Sequence, residues 1–172
     1  VKGRFNANGN PIDVIGSFSE RKFGANQFYA VQSGHDQYEE TQSSLVGAST
    51  KFQTENFKIT PRVYWKRNQD MYLYVRERPS VYRNLHISNK VRLQVNASYT
   101  SNAGITGCGI DAAKVSMSST NLGERDRTMA NLFVEHRFSL ADNALDITPG
   151  VSVNYFSDFK FHAFPGVDVG YA

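Results

Sequence analysis

Cysteine is all but missing from these 172 residues: Cys108 stands alone, which excludes an internal disulfide and any metal site built from several thiolates. Long apolar runs are missing as well. No stretch approaches the roughly 20 consecutive apolar residues of a membrane-spanning helix. Charge of one sign is missing too: 19 Lys+Arg against 16 Asp+Glu leave a net +3, too balanced for a nucleic-acid partner. The opening Val1-Lys-Gly-Arg-Phe5 has no basic segment followed by an apolar one, so it does not read as a signal peptide. Both ends look like cuts through a longer chain, since Gly170-Tyr-Ala172 stops inside a strand pattern.

Recognisable catalytic chemistry is also lacking. The four histidines, His35, His86, His136 and His162, fall on four different elements with no metal-ligand spacing between any two. Gly107-Cys-Gly109 has no strand–helix context for a phosphate loop. Glu39 and Glu40 are adjacent, but neighbouring strand residues point to opposite faces, so they do not converge on one substrate and read as a solvated loop end. No nucleophile–base set emerges. The expectation is a chain that is not an enzyme and holds no cofactor or metal.

What is present is a period of two. From Leu145 to Tyr155 the odd positions are Leu145, Ile147, Pro149, Val151, Val153 and Tyr155, and the even ones are Asp146, Thr148, Gly150, Ser152 and Asn154. Such alternation over about eleven residues fits a membrane-barrel strand, which runs 9–11 residues, better than a soluble strand of 5–6. It recurs at Val91, Leu93, Val95, Ala97 and Tyr99, at Phe57, Ile59, Pro61, Val63 and Trp65, and at Phe161, Ala163, Val167, Val169 and Tyr171. Ile12, Val14, Gly16 and Phe18 carry it more weakly, and the segments 40–51 and 105–115 are poorer still. Segment 127–139 fits both a strand and a helical stripe, and its surroundings favour strand. A mean hydropathy of −0.45 does not exclude a membrane, because alternating faces average to an unremarkable value. The 12 Phe, 9 Tyr and 1 Trp suit the aromatic girdles of a barrel, and equally an ordinary β-rich core.

The connections alternate in length. Tight turns are expected at 7–10, 54–56, 101–104 and 141–143, long loops at 23–38 and 68–89, and an intermediate one at 117–126. In outer-membrane barrels short turns lie in the periplasm and long loops outside. Pro61, Pro149 and Pro165 fall inside proposed strands, near their starts, where a missing donor is least costly. The fold expected is an all-β, antiparallel up-and-down meander of about eight strands, a segment of a membrane β-barrel. The face bearing Val91, Leu93, Val95, Leu145, Ile147, Val151 and Val153 would meet lipid, and that bearing Arg92, Gln94, Asp146 and Asn154 the lumen.

The second long loop interleaves basic and aromatic groups from Lys66 to Arg83. Tyr72, Tyr74, Arg76, Arg78, Tyr82 and Arg83 are the candidate contacts to an anionic or ring-bearing ligand. The same surface could grip the sugars and phosphates of surface glycolipid, or be a solvated loop whose aromatics pack on the rim.

Several blocks in order carry a family resemblance. Phe23-Gly-Ala-Asn-Gln-Phe-Tyr29 followed by Gln37-Tyr-Glu-Glu-Thr41, then Pro61-Arg-Val-Tyr-Trp-Lys-Arg67 with Asp70, Asn121-Leu-Gly-Glu124, Val134-Glu-His136 and Phe164-Pro-Gly-Val-Asp168 resemble TonB-dependent outer-membrane receptors of the cobalamin-receptor type. The resemblance implies a single segment, 1–172, from the middle of a large barrel in the Gram-negative outer membrane. Its partners would be outer-membrane lipid, a plug domain and TonB, and its cargo a small-molecule nutrient such as cobalamin or an iron-siderophore. The plug, the TonB box and the remaining strands do not appear in these residues. The matching blocks are structural signatures, so no ligand residue is carried over. Two readings stand beside it: a small, complete eight-strand outer-membrane barrel, and a soluble lipocalin-like barrel with its apolar face inward.

Overall fold

The computed structural model describes residues 1–7, 9–29, 34–142 and 144–171. They form one antiparallel sheet of β1 (Lys2–Ala7), β2 (Asn10–Gly24), β3 (Tyr38–Thr50), β4 (Phe52–Gln53), β5 (Phe57–Leu73), β6 (Arg83–Ser101), β7 (Gly104–Ser119), β8 (Gly123–Leu140), β9 (Leu145–Phe156) and β10 (Lys160–Tyr171). Each strand pairs with the next in sequence, except that β3 and the two-residue β4 both pair with β5, and β1 and β10 are the edges. The expected meander is the set of long strands; β1 and β4 are short additions. Segment 127–139 is strand, within β8.

Register carries the faces across the sheet. Pro61, Val95, Ile110, Leu132, Val153 and Ala163 stand opposite one another in turn from β5 to β10. One residue on, Arg62, Gln94, Asp111, Asn131, Asn154 and His162 do the same on the other face. The apolar face is open: Val91, Leu93, Ile110, Leu132 and Val134 are about half exposed, and the only buried hydrophobics among the described residues are Ala25, Leu73, Val75 and Ala113. A Val or Leu left in water forgoes roughly 1.5–3 kcal/mol, so this face requires apolar surroundings that the chain itself does not supply.

The polar face is the more crowded one. Along β6 and β7 its residues from Asn84 to Ser98 and from Gly107 to Val115 are half-buried or buried, while Val91, Leu93, Cys108 and Ile110 on the apolar face are exposed. That asymmetry is what curvature toward the polar face produces, since side chains converge on a concave surface. They also bond there: Arg92 Nε lies 2.8 Å from both oxygens of Asp111, and Asn131 Nδ2 donates to Ser152 Oγ at 2.7 Å and Asn154 Oδ1 at 2.6 Å. A lipocalin-like arrangement would place the apolar side chains on the concave side instead.

The three prolines sit where the ladder does not ask for their N–H. The β3–β5 ladder ends at Ser49↔Arg62 and β4 resumes it at Phe52↔Ile59, so Pro61 lies in the gap between them. Pro149 falls in the interruption of the β8–β9 ladder between Glu135↔Gly150 and Phe138↔Ile147. Pro165 is mid-strand, not near a strand start as expected, but on the edge strand β10.

The loops depart from expectation in one respect. Strands β5 and β6 run on to Leu73 and from Arg83, leaving a loop of 74–82 rather than 68–89, and the connection at 117–126 shrinks to a turn at 120–122. The apolar side of β6 holds from Tyr99 to Val91, about 27 Å along the strand and about 20 Å in height once strand tilt is allowed for. Beyond it the same face carries Arg67, Gln69, Asn89, Ser116 and Asp126. Polar residues there interrupt the apolar ones, with Ile87 opposite Gln69, so the alternation breaks down, yet the backbone ladder continues.

Candidate functional site

The loop 74–82 and the described parts of the loop between β2 and β3 meet at one rim. Ala25 and Gln37 are fully buried and close that loop's base, with Ala25 N–H donating to Gln37 O at 2.9 Å and Gln37 N–H to Asn26 Oδ1 at 2.6 Å. Arg76 N–H donates to Asp36 O at 2.8 Å, joining the two loops through their backbones. Leu73 and Val75 are buried beneath them. Ala30, Val31, Gln32 and Ser33, inside the expected loop 23–38, lie outside the described residues, as do Asn8 and Asn143 in two of the expected turns.

On this base stands a run of tyrosines. The rings of Tyr29 and Tyr72 meet edge to face with centroids 5.0 Å apart, and Tyr72 meets Tyr82 in the same manner at 6.2 Å. Each hydroxyl is fixed. Tyr29 donates to Glu39 Oε2 at 2.9 Å, Tyr72 donates to Gln37 Oε1 at 2.7 Å, and Tyr82 Oη accepts from Asn121 Nδ2 at 2.5 Å. The turn is held in its own right, as Thr120 Oγ1 accepts from Leu85 N–H and donates to Asn84 Oδ1, both at 3.0 Å.

Of the six candidate contacts, the structure brings Tyr72 and Tyr82 together. Tyr72 is on β5 itself, not in a loop, and half-buried. Tyr74 turns to His35, with ring centroids 5.4 Å apart. Arg76 lies 4.7 Å over the ring of Tyr38 and 3.8 Å from Asp36, so its charge is already matched. Arg78 and Arg83 are exposed and make no side-chain hydrogen bond or ion pair among the described residues. Sequence reasoning missed Tyr29, Gln37 and Asn121, which come from distant segments; nothing local marks them as neighbours of Tyr72. It also misjudged Glu39. The carboxylate does point away from Glu40's face, but it is 7% exposed rather than solvated, because Tyr29 covers it.

The electrostatics follow from that cover. The Tyr29 hydrogen bond to Glu39, then desolvation, push the Tyr29 phenol up to about 12. Burial, followed by the nearby Tyr74, Tyr82 and Glu39, pushes Tyr72 up as well. A raised folded-state value means that the neutral phenol is favoured by folding. This contribution is complete below the ordinary value near 10 and is lost as pH rises from 10 toward 12. The difference between the ultraviolet titrations of the protein and of Tyr29→Phe is expected to show the missing phenol ionising near pH 12. A missing step near pH 10 would contradict this. The site as a whole offers ring faces, hydroxyls and amides at a water-accessible rim, suited to stacking on and hydrogen-bonding a ring-bearing small molecule.

No protein-family model and no curated protein matches the sequence. Among solved structures, the chain is similar to the crystal structure of the siderophore receptor PirA from Pseudomonas aeruginosa, with a TM-score of 0.82 at 12% identity over 99% of this chain. The chain spans 29% of the length of that receptor. At this identity the likeness establishes the fold, a barrel-wall segment. It carries no support for the cobalamin-receptor type in particular.

Proposed function

We propose that the chain forms part of the barrel wall of an outer-membrane, TonB-dependent receptor that takes up a small-molecule nutrient, with the tyrosine rim as part of its outer vestibule. The observation that carries this reading is the open apolar face, which is continuous across β5–β10 and bounded by polar residues. The likeness to a siderophore receptor barrel supports it. In this reading a plug domain fills the lumen and TonB supplies energy. An iron-siderophore is the preferred cargo class, because the similar structure is a siderophore receptor; cobalamin is the second candidate.

Two experiments test it. In intact cells, a membrane-impermeant maleimide is expected to label Ser80→Cys in loop 74–82 and to spare Ala103→Cys in the opposite turn. Labelling of both, or of Ala103→Cys alone, would contradict the orientation. Deleting the gene is expected to abolish proton-motive-force-dependent accumulation of one member of a panel of ferric siderophores and cobalamin. Unchanged uptake of every member would remove the receptor reading.

A further inference from the structure

The bonds that hold the turn at 120–122 run on past Thr120 and end at a histidine. Thr120 Oγ1 accepts from Leu85 N–H and donates to Asn84 Oδ1. With its oxygen taken, Asn84 presents Nδ2 to the ring of His86, 2.7 Å from Nε2. An amide nitrogen only donates, so Nε2 accepts and the imidazole proton sits on Nδ1. Nδ1 is buried and has no hydrogen-bond partner among the described residues. The neutral ring is therefore held from one side only. His86 stands on the polar face between Asp70 of β5 and Ser119 of β7, in a row that runs through Thr41 to Arg21 on β2. The adjacent rows of that face add Tyr72, Glu39 and Arg125, and Lys90 lies one row further along β6. Asp70 is the one charged group directly opposite His86.

We infer that His86 is a proton-operated latch for the tyrosine rim. Histidine is the side chain whose charge changes between about pH 5 and 8. Protonation puts a hydrogen on Nε2, where it faces the hydrogens of Asn84 Nδ2, two donors with no acceptor between them. The amide must turn over or move away, and either takes Oδ1 from the Thr120 hydroxyl. The turn keeps the bonds from Asn121 N–H and Leu122 N–H to Ser119 Oγ and from Thr120 N–H to Leu85 O, but it loses its tie to Asn84. Asn121 rides on this turn and holds the Tyr82 hydroxyl, so the rim is fixed at neutral pH and loosened in acid. The inference needs the bonds at this turn and not the uptake reading.

The test places a nitroxide on Leu122→Cys in a Cys108→Ser background, with the intact protein in bilayers. Its spectrum reports the motion of the turn and is read at about pH 8 and about pH 5.5. Folding of each variant is checked by heat-modifiable gel mobility. The label is expected to be immobilised at the upper pH and to gain a mobile component, reversibly, at the lower. His86→Gln, whose side-chain oxygen still accepts from Asn84, is expected to stay immobilised at both. Thr120→Val, which has no hydroxyl, is expected to be mobile at both. Asp70→Asn is expected to keep the step, which a titrating carboxylate would not. No change with pH while His86 is present, the same step in His86→Gln, an immobilised label in Thr120→Val, or loss of the step in Asp70→Asn would each overturn the assignment. Failure here leaves the uptake and maleimide results untouched, and their failure leaves the spectra interpretable.

Discussion

Val95→Arg is expected to destabilise the membrane-inserted protein by about 2–4 kcal/mol, roughly a 30- to 1000-fold shift in the folding equilibrium, while its neighbour Gln94→Arg changes stability by no more than about 0.5 kcal/mol. Val95 sits in the middle of the apolar row, flanked by Pro61 and Ile110, with Leu132 one strand further. A guanidinium there is placed in hydrocarbon with no partner. Gln94 points the other way, between Arg62 and Asp111 on the polar face, where an added guanidinium stays solvated. Urea titrations of folding into phosphatidylcholine vesicles, read by gel mobility, separate the two variants. Equal effects at both positions would mean that the faces are assigned wrongly.

Gly104→Ala is expected to cost about 3 kcal/mol or more, because two penalties coincide. The residue ends the β6–β7 turn with φ +129°, a conformation that side chains rarely adopt, and an added Cβ would lie 2.1 Å from the carbonyl oxygen of Arg137 and 2.9 Å from His136 Nε2. The carbonyl belongs to the β8 backbone and cannot swing aside. Gly16→Ala is the matched control: nothing lies within 4 Å of its added Cβ and its φ is ordinary, so stability is expected to hold or rise slightly. The same urea titration measures both. A loss under 1 kcal/mol in Gly104→Ala would show that the turn has another way to close.

How far the sequence could be read follows from where the alternation holds. In β6 and β9 one face is apolar and the other polar over the whole apolar band, and there both strand and face were legible. Above the band, Arg67, Gln69 and Asn89 replace the apolar residues on the outward side. Periodicity vanished while the hydrogen-bond ladder went on, so the expected loop 68–89 was too long at both ends. The prolines' positions in the strands were visible, whereas the ladder gaps beside Pro61 and Pro149 and the edge position of Pro165 were not. The rim site was half legible. Tyr72 and Tyr82 stood out as aromatic residues among cations, whereas Tyr29, Gln37 and Asn121 reach them only through strand pairing. The tie between Asn84 and Thr120 was hidden for the same reason: the residues lie 36 positions apart, and only register brings them together.

The most direct test of the central claim, that the apolar face meets lipid and the polar face a water-filled lumen, is a spin-label scan along β6. Labels are placed singly at positions 90–96 in a Cys108→Ser background, and their collisions with oxygen and with a water-soluble nickel chelate are measured in bilayers. Oxygen accessibility is predicted to peak at 91, 93 and 95, with chelate accessibility peaking at 90, 92, 94 and 96. The opposite phase, or no alternation at all, would contradict the account.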